Sequence, residues 1–198
     1  MLAVLVVCTG NICRSPIAEG FLRDRSARVL GDPLRVGSAG TWARTGKPPT
    51  DEAILAAGER GVDIAAQTST SFRGELARRA DLLVTMTEEQ RGEVLGQVAE
   101  AAGKTFTLKE LVTLLHELPA PPSPADRETV LRRIADADAL RRGSGAPEVF
   151  DADVADPLGL SLEAYRAVAW EIESLVDDLL EGLAGQSPAA RPAEATEA

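Results

Sequence analysis

The chain is poor in cysteine, histidine and aromatic residues. Its 198 residues include two cysteines, Cys8 and Cys13, and one histidine, His116. Two thiols inside one loop do not make a disulfide-stapled secreted fold. Together with a single histidine they fall short of the about four ligands a structural zinc site takes. No metal and no other cofactor is expected. Aromatics make up only 4% of the chain, so aliphatic side chains must fill the core; with 44% hydrophobic residues there are enough of them for one domain. No apolar run approaches the ~20 residues of a membrane helix. Met1 to Val7 lacks a basic start and is too short for a secretion signal. These absences point to the reducing cytoplasm. Basic charge is also scarce: the net charge is −10. It is unevenly spread, with 11 basic and 8 acidic side chains in residues 1–80 and 10 basic against 23 acidic beyond them. Neither nucleic acid nor an anionic membrane is an expected partner, and the acidic excess serves solubility.

What is present is concentrated near the start, in Cys8-Thr9-Gly10-Asn11-Ile12-Cys13-Arg14-Ser15-Pro16. The short apolar run Leu2 to Val7 before it suits a buried parallel strand. After it, Ile17, Ala18, Phe21, Leu22 and Val29 recur at helical spacing to about Leu30, with Ser15 as expected N-cap and Pro16 in the first turn. A strand that exits into such a turn and then a helix aims backbone N–H groups into one concavity, where an anion binds. A cysteine at a helix N-terminus beside a guanidinium is held as thiolate, the nucleophilic form. Arg14 suits a phosphoryl group because its fork grips two oxygens at once. Ser15 can donate to the sulfur, Gly10 permits close backbone approach, and Asn11 tolerates a left-handed conformation.

Cys8, five residues, then Arg14-Ser15 resembles the signature of the protein tyrosine phosphatases. The fuller string and its N-terminal position resemble the low-molecular-weight branch. The resemblance implies a three-layer α/β sandwich, a four-stranded parallel sheet with helices on both faces. It implies a metal-independent protein tyrosine phosphatase working through a phosphocysteine, with Thr9, Gly10, Asn11, Ile12, Cys13, Arg14 and Ser15 around the phosphate. It also implies a phosphorylated protein as partner, such as a tyrosine kinase or its target.

Further along, Leu34 to Val36 reads as a second strand running into Gly37-Ser38-Ala39-Gly40-Thr41. Ser38 matches the serine that in this family keeps the phosphate loop in shape. Trp42 to Pro49 matches the loop that walls the substrate cleft, so Trp42 is either a cleft wall or a core anchor. Thr50-Asp51 opens a helix that Gly61 closes, and Thr68 to Ser71 is expected to open another. Family members often place a histidine near here to brace the asparagine of the loop, and this chain has none. Asp81 to Met86 and Lys104 to Leu108 read as the third and fourth strands, with helices after each; Thr87 and Gln90 form a capping pattern. Residues 119–150, proline-rich and then helical over Ala125 to Arg142, read as an insertion: a lid, a docking surface or a solvated addition.

A phosphate monoester needs a general acid opposite the nucleophile. Asp156-Pro157, before a final helix over Leu160 to Leu183, resembles the general-acid loop, and Asp156 is preferred over Asp153. Leu158 stands where relatives often carry an aromatic residue that flanks the phosphotyrosine ring. The phosphatase domain is read as 1–183 and the Ala-, Pro- and Glu-rich 184–198 as a disordered tail. Alternatives within the branch are a protein arginine phosphatase and an arsenate reductase. Ile12 stands where the former carry threonine, and the latter need further cysteines. A phosphopeptide-binding module that performs no chemistry is the third alternative. Cys13 is either a redox partner of Cys8 or a packing residue.

Overall fold

The structure is a computed structural model that describes residues 1–32, 34–121 and 126–185. Its first strand, β1 (Ala3–Cys8), is buried at every position. A strand covered on both faces is what an unbroken Val/Leu run predicts. It lies inside a four-stranded parallel sheet of order β2-β1-β3-β4, with β2 at Arg35–Gly40, β3 at Leu82–Thr85 and β4 at Thr105–Thr107. Register brings Cys8 opposite Gly40 and Val6 opposite both Ser38 and Val84.

Alternate side chains leave the sheet on opposite faces. Val4, Val6 and Cys8 join Val36, Leu82, Val84 and Phe106 in one core. That core is covered by α1 (Arg14–Leu30), α2 (Asp51–Gly58), α5 (Leu108–Glu117), α6 (Arg127–Arg142) and α7 (Leu162–Ala184). Leu5, Val7, Ala39 and Leu83 point the other way, against Phe72, α3 (Gly74–Arg79) and α4 (Glu88–Gln97). The result is the expected three-layer sandwich.

Several local expectations are corrected. Ser15 is not an N-cap. α1 starts at Arg14, its N-cap is Cys13, and no side chain caps it. Thr68 to Ser71 opens no helix, because the segment is drawn out beside the sheet: Gly40 N–H donates to Thr70 O at 2.9 Å and Phe72 N–H to Gly40 O at 2.8 Å. Tertiary pairing overrides local preference there, and α3 begins only at Gly74. The Thr87/Gln90 capping box is present.

α6, within 119–150, is not merely solvated. Val130, Ile134 and Ala137 belong to the main core. The buried Arg133 donates to three backbone carbonyls, Gly182 O at 2.6 Å, Pro119 O at 2.8 Å and Leu115 O at 3.1 Å. It thus ties α6 to the ends of α5 and α7. The tail read over 184–198 lies, from residue 186 onward, outside the described residues. No described helix is long and apolar enough to cross a membrane.

Candidate active site

β1 ends at Cys8 and α1 starts at Arg14, so Thr9 to Cys13 cross the C-terminal edge of the sheet as one loop. Ligand sites of open α/β sheets sit at this edge. The loop's carbonyls are bound on its outer side: Thr41 N–H donates to Cys8 O at 3.0 Å, Trp42 N–H to Thr9 O at 3.0 Å, and Thr50 N–H to Ile12 O at 2.9 Å. With carbonyls turned out, N–H groups are left for the inner side. The Asn11 N–H already points at Cys8 Sγ, 3.2 Å away. Asn11 itself is left-handed, with φ 53°, as its residue type allows.

One side chain orders the hydroxyls around the sulfur. Asn11 Nδ2 donates to Ser15 Oγ and to Ser38 Oγ, both at 2.8 Å. Since Ser15 Oγ accepts there, its single proton is free for Cys8 Sγ at 2.9 Å. The Ser38 hydroxyl in turn donates a hydrogen bond to Glu19 Oε2. Asn11 Oδ1 accepts from Thr70 N–H at 2.7 Å, so both the nitrogen and the oxygen of the amide are engaged. That main-chain amide braces Asn11 in a stretch that has no histidine. Glu19 is 5% exposed, and burial raises its carboxyl above the ordinary value, against the Ser38 hydrogen bond and the Arg23 charge.

Arg14 is almost wholly buried. Its Nη1 donates to Val154 O at 3.0 Å and its Nη2 to Asp156 Oδ2 at 2.6 Å. Buried Nε has no hydrogen-bond partner among the described residues. Asp156 thus meets the loop from the far end of the chain. Asp153 does not: its Oδ1 accepts from the Glu88 N–H at 2.8 Å, at the start of α4.

Cys8, Thr9, Gly10, Ile12, Cys13, Arg14, Trp42, Asp156 and Leu158 line one cavity of about 240 Å³. Trp42 is a wall and not a core anchor, being 76% exposed, with its indole N–H on Glu93 Oε1 at 2.6 Å. A larger cavity, about 720 Å³, lies beside Glu19 and Ser38 and is not lined by Cys8, Arg14 or Asp156; the chemistry-bearing groups mark the smaller one as the site. Cys13 Sγ lies 3.5 Å from Tyr165 Oη and 3.8 Å from Thr50 Oγ1. Burial pushes the Cys13 thiol up, and burial with the Cys13 contact lifts the Tyr165 phenol to about 12.

Sequence reasoning missed Glu19, Thr70, the Val154 carbonyl and Gln90, whose Nε2 donates to Thr9 Oγ1 at 3.1 Å. Glu19 alone left a signal, since it follows Ser15 by one helical turn and shares its face.

A thiol set among N–H and O–H donors beside a buried guanidinium, at the edge of a parallel sheet, defines a cysteine-dependent phosphatase. The comparisons carry this further. The model of the low molecular weight phosphotyrosine protein phosphatase family matches residues 3–137, and the chain belongs to that family. A protein-arginine-phosphatase of Geobacillus stearothermophilus is 32% identical over 180 residues, covering 91% of this chain and 95% of the relative. The low molecular weight protein-tyrosine-phosphatase Etp of Escherichia coli K12 is 38% identical over 104 residues, 52% of this chain and 67% of the relative. The solved low molecular weight protein tyrosine phosphatase of T. tengcongensis is similar with a TM-score of 0.68 and 32% identity, over 91% of this chain and 99% of that one.

Proposed function

We propose that the chain hydrolyses phosphotyrosine in proteins, without a metal, through a phosphocysteine intermediate. The observation that carries this is the convergence of Cys8, the buried Arg14 and Asp156 on one cavity. Cys8 thiolate attacks phosphorus in line with the ester oxygen, while the loop amides of Thr9 to Arg14 bind the phosphoryl oxygens. Arg14 Nε and Nη2 form one edge of the guanidinium, the fork for two of those oxygens. As the P–O bond breaks, Asp156 gives its proton to the leaving phenol oxygen. The Asp156 carboxylate then takes a proton from the water that attacks phosphocysteine, releasing phosphate and restoring the thiolate. Gly10 lets the loop close on the phosphate, Asn11, Ser15 and Ser38 hold its shape, and Trp42 walls the ring.

Phosphoarginine is the second reading, favoured by the arginine-phosphatase relative that spans nearly the whole chain. The cavity walls favour tyrosine. Ile12, Trp42 and Leu158 form an apolar slot, and Asp156, already on Arg14, is the one carboxylate among the lining residues. A phosphoguanidinium would bring N–H donors into that slot with little to accept them. Arsenate reduction through a cysteine relay lacks its relay thiols, because Cys8 and Cys13 are the only cysteines. Two free thiols fit a cytoplasmic protein acting on phosphorylated proteins there.

The test is steady-state hydrolysis of phosphotyrosine and phosphoarginine peptides in EDTA by the wild type, C8S and D156N. Phosphotyrosine turnover that C8S abolishes and D156N cuts ~100-fold is expected. Preference for phosphoarginine would overturn the substrate, and turnover by C8S would overturn the mechanism. Phosphate binding without any turnover would leave a binding module.

A further inference from the structure

Between α6 and α7 the chain has no regular element, yet Asp156 sits there. Its position depends on what grips the preceding residues. Val154 is buried, its N–H donates to Met86 O at 2.8 Å, and its carbonyl accepts from Arg14. Asp156 itself rests on Arg14 Nη2 at 2.6 Å, a group that phosphate must share, and Lys109 Nζ holds Asp151 Oδ2 at 3.0 Å farther back. Asp153 adds an anchor that a bound phosphate does not compete for, since its Oδ1 takes the Glu88 N–H at 2.8 Å.

That N–H is available for a specific reason. At the start of α4, Thr87 Oγ1 accepts from Gln90 N–H and Gln90 Oε1 accepts from Thr87 N–H, which completes the capping box. The Glu88 N–H belongs to the first turn of the helix, where amides have no helical acceptor. A carboxylate is a favoured acceptor at that end. α4 begins just after β3, and β3 pairs with β1, which ends in Cys8. The tether therefore ties the acid loop to the same sheet edge that carries the nucleophile.

We propose that Asp153 is a positioning residue for phosphoryl transfer: by holding the first amide of α4 it fixes the rotation of the loop carrying Asp156, and so the reach of that acid to the leaving oxygen. This rests on the reading of Asp156 as the acid. Asp153 touches no reacting atom and acts through Asp156 alone.

The experiment measures kcat/KM on two esters that differ in their need for a proton. Phenyl phosphate expels a poor leaving group and needs the acid, whereas 2,4-dinitrophenyl phosphate expels a stable phenolate and does not. Asp153→Ala is expected to lose about tenfold on phenyl phosphate and less than about twofold on the dinitrophenyl ester. Asp153→Asn keeps an acceptor oxygen and is expected to stay within about twofold of wild type on both. Glu88→Pro deletes the donor from the other side of the same bond at a helix position proline tolerates, and should reproduce the selective loss. It also decides the matter if Asp153→Ala fails to fold.

Equal losses on both esters, no loss on phenyl phosphate, or Asp153→Asn behaving like Asp153→Ala would overturn the tether. Asp156→Asn serves as reference. If it too lacks the selectivity, the acid assignment falls; if it is selective while Asp153→Ala and Glu88→Pro are not, only the tether falls.

Discussion

Replacing Ser38 by alanine removes one oxygen from the support of the phosphate loop. Two hydrogen bonds go with it, the one Ser38 gives to Glu19 and the one it takes from Asn11. A hydrogen bond to a charged group contributes about 1.5–3 kcal/mol and a neutral one about 1 kcal/mol. The expected loss is therefore about 3 kcal/mol, within the ~5–15 kcal/mol by which domains are stable. The protein stays folded, and its melting temperature drops by roughly 6–12 °C. The loss also depends on pH. Burial raises the Glu19 carboxyl above its ordinary 4.5, and Ser38 is the first contact that opposes the rise. A raised carboxyl makes its contribution to stability below the unfolded value and loses it as pH climbs through the folded one. Without Ser38 the ionised carboxylate is harder to keep buried, so the S38A penalty must grow from pH 5 to pH 8. In an E19Q background no charge is stranded and both lost bonds are neutral, so the same substitution should cost about 2 kcal/mol, a coupling of about 1 kcal/mol. Urea unfolding of the four proteins at both pH values measures this, alongside kcat/KM on an aryl phosphate, which should fall about tenfold in S38A as Asn11 loosens. Additive effects that ignore pH would refute the Asn11–Ser38–Glu19 chain as a support.

Two further outcomes are expected. A Cβ on Gly40 would lie 2.5 Å from Thr9 O and 2.9 Å from Asn11 N, so Gly40→Ala must push the phosphate loop aside; kcat/KM should fall about 100-fold and inhibition by inorganic phosphate should weaken with it. Wild type inactivated by peroxide should recover activity with dithiothreitol while C13S does not, and because burial pushes the Cys13 thiol up, protection should be stronger at pH 9 than at pH 7. Equal recovery of both proteins would leave Cys13 a packing residue.

The parts of the site that were legible in the sequence are those made by neighbours in the chain. Cys8 to Ser15 is a contiguous string, and its strand-turn-helix setting can be read from periodicity alone. Asp156 and Ser38 were reachable because short strings around them resemble the family. What escaped is held by contacts between distant residues. Arg14 meets Val154 and Asp156 some 140 positions away, and Asp153 meets Glu88 across 65. Ser15 misled in an instructive way: its hydroxyl would cap a helix in isolation, but here Asn11 and Cys8 claim it. α6 misled because its charges hide its stripe. Arg133 and Asp138 are buried, the first on backbone carbonyls and the second on Arg141 and Arg142, so polar letters occupy core positions between Val130, Ile134 and Ala137.

The order of these elements along the chain has a consequence for synthesis. Cys8 and Arg14 are made well before Val154, Asp156 and the helix that covers α1, some 140 positions further along the chain. At ~5–20 residues per second, about 150 residues separate the two events by roughly 8–30 s on the ribosome. During that interval a nascent chain carries the thiol and the guanidinium but not the carboxylate that Arg14 contacts in the fold. A chain that stalls before residue 156 therefore holds Cys8 and Arg14 without the carboxylate and the carbonyl that Arg14 grips in the finished fold.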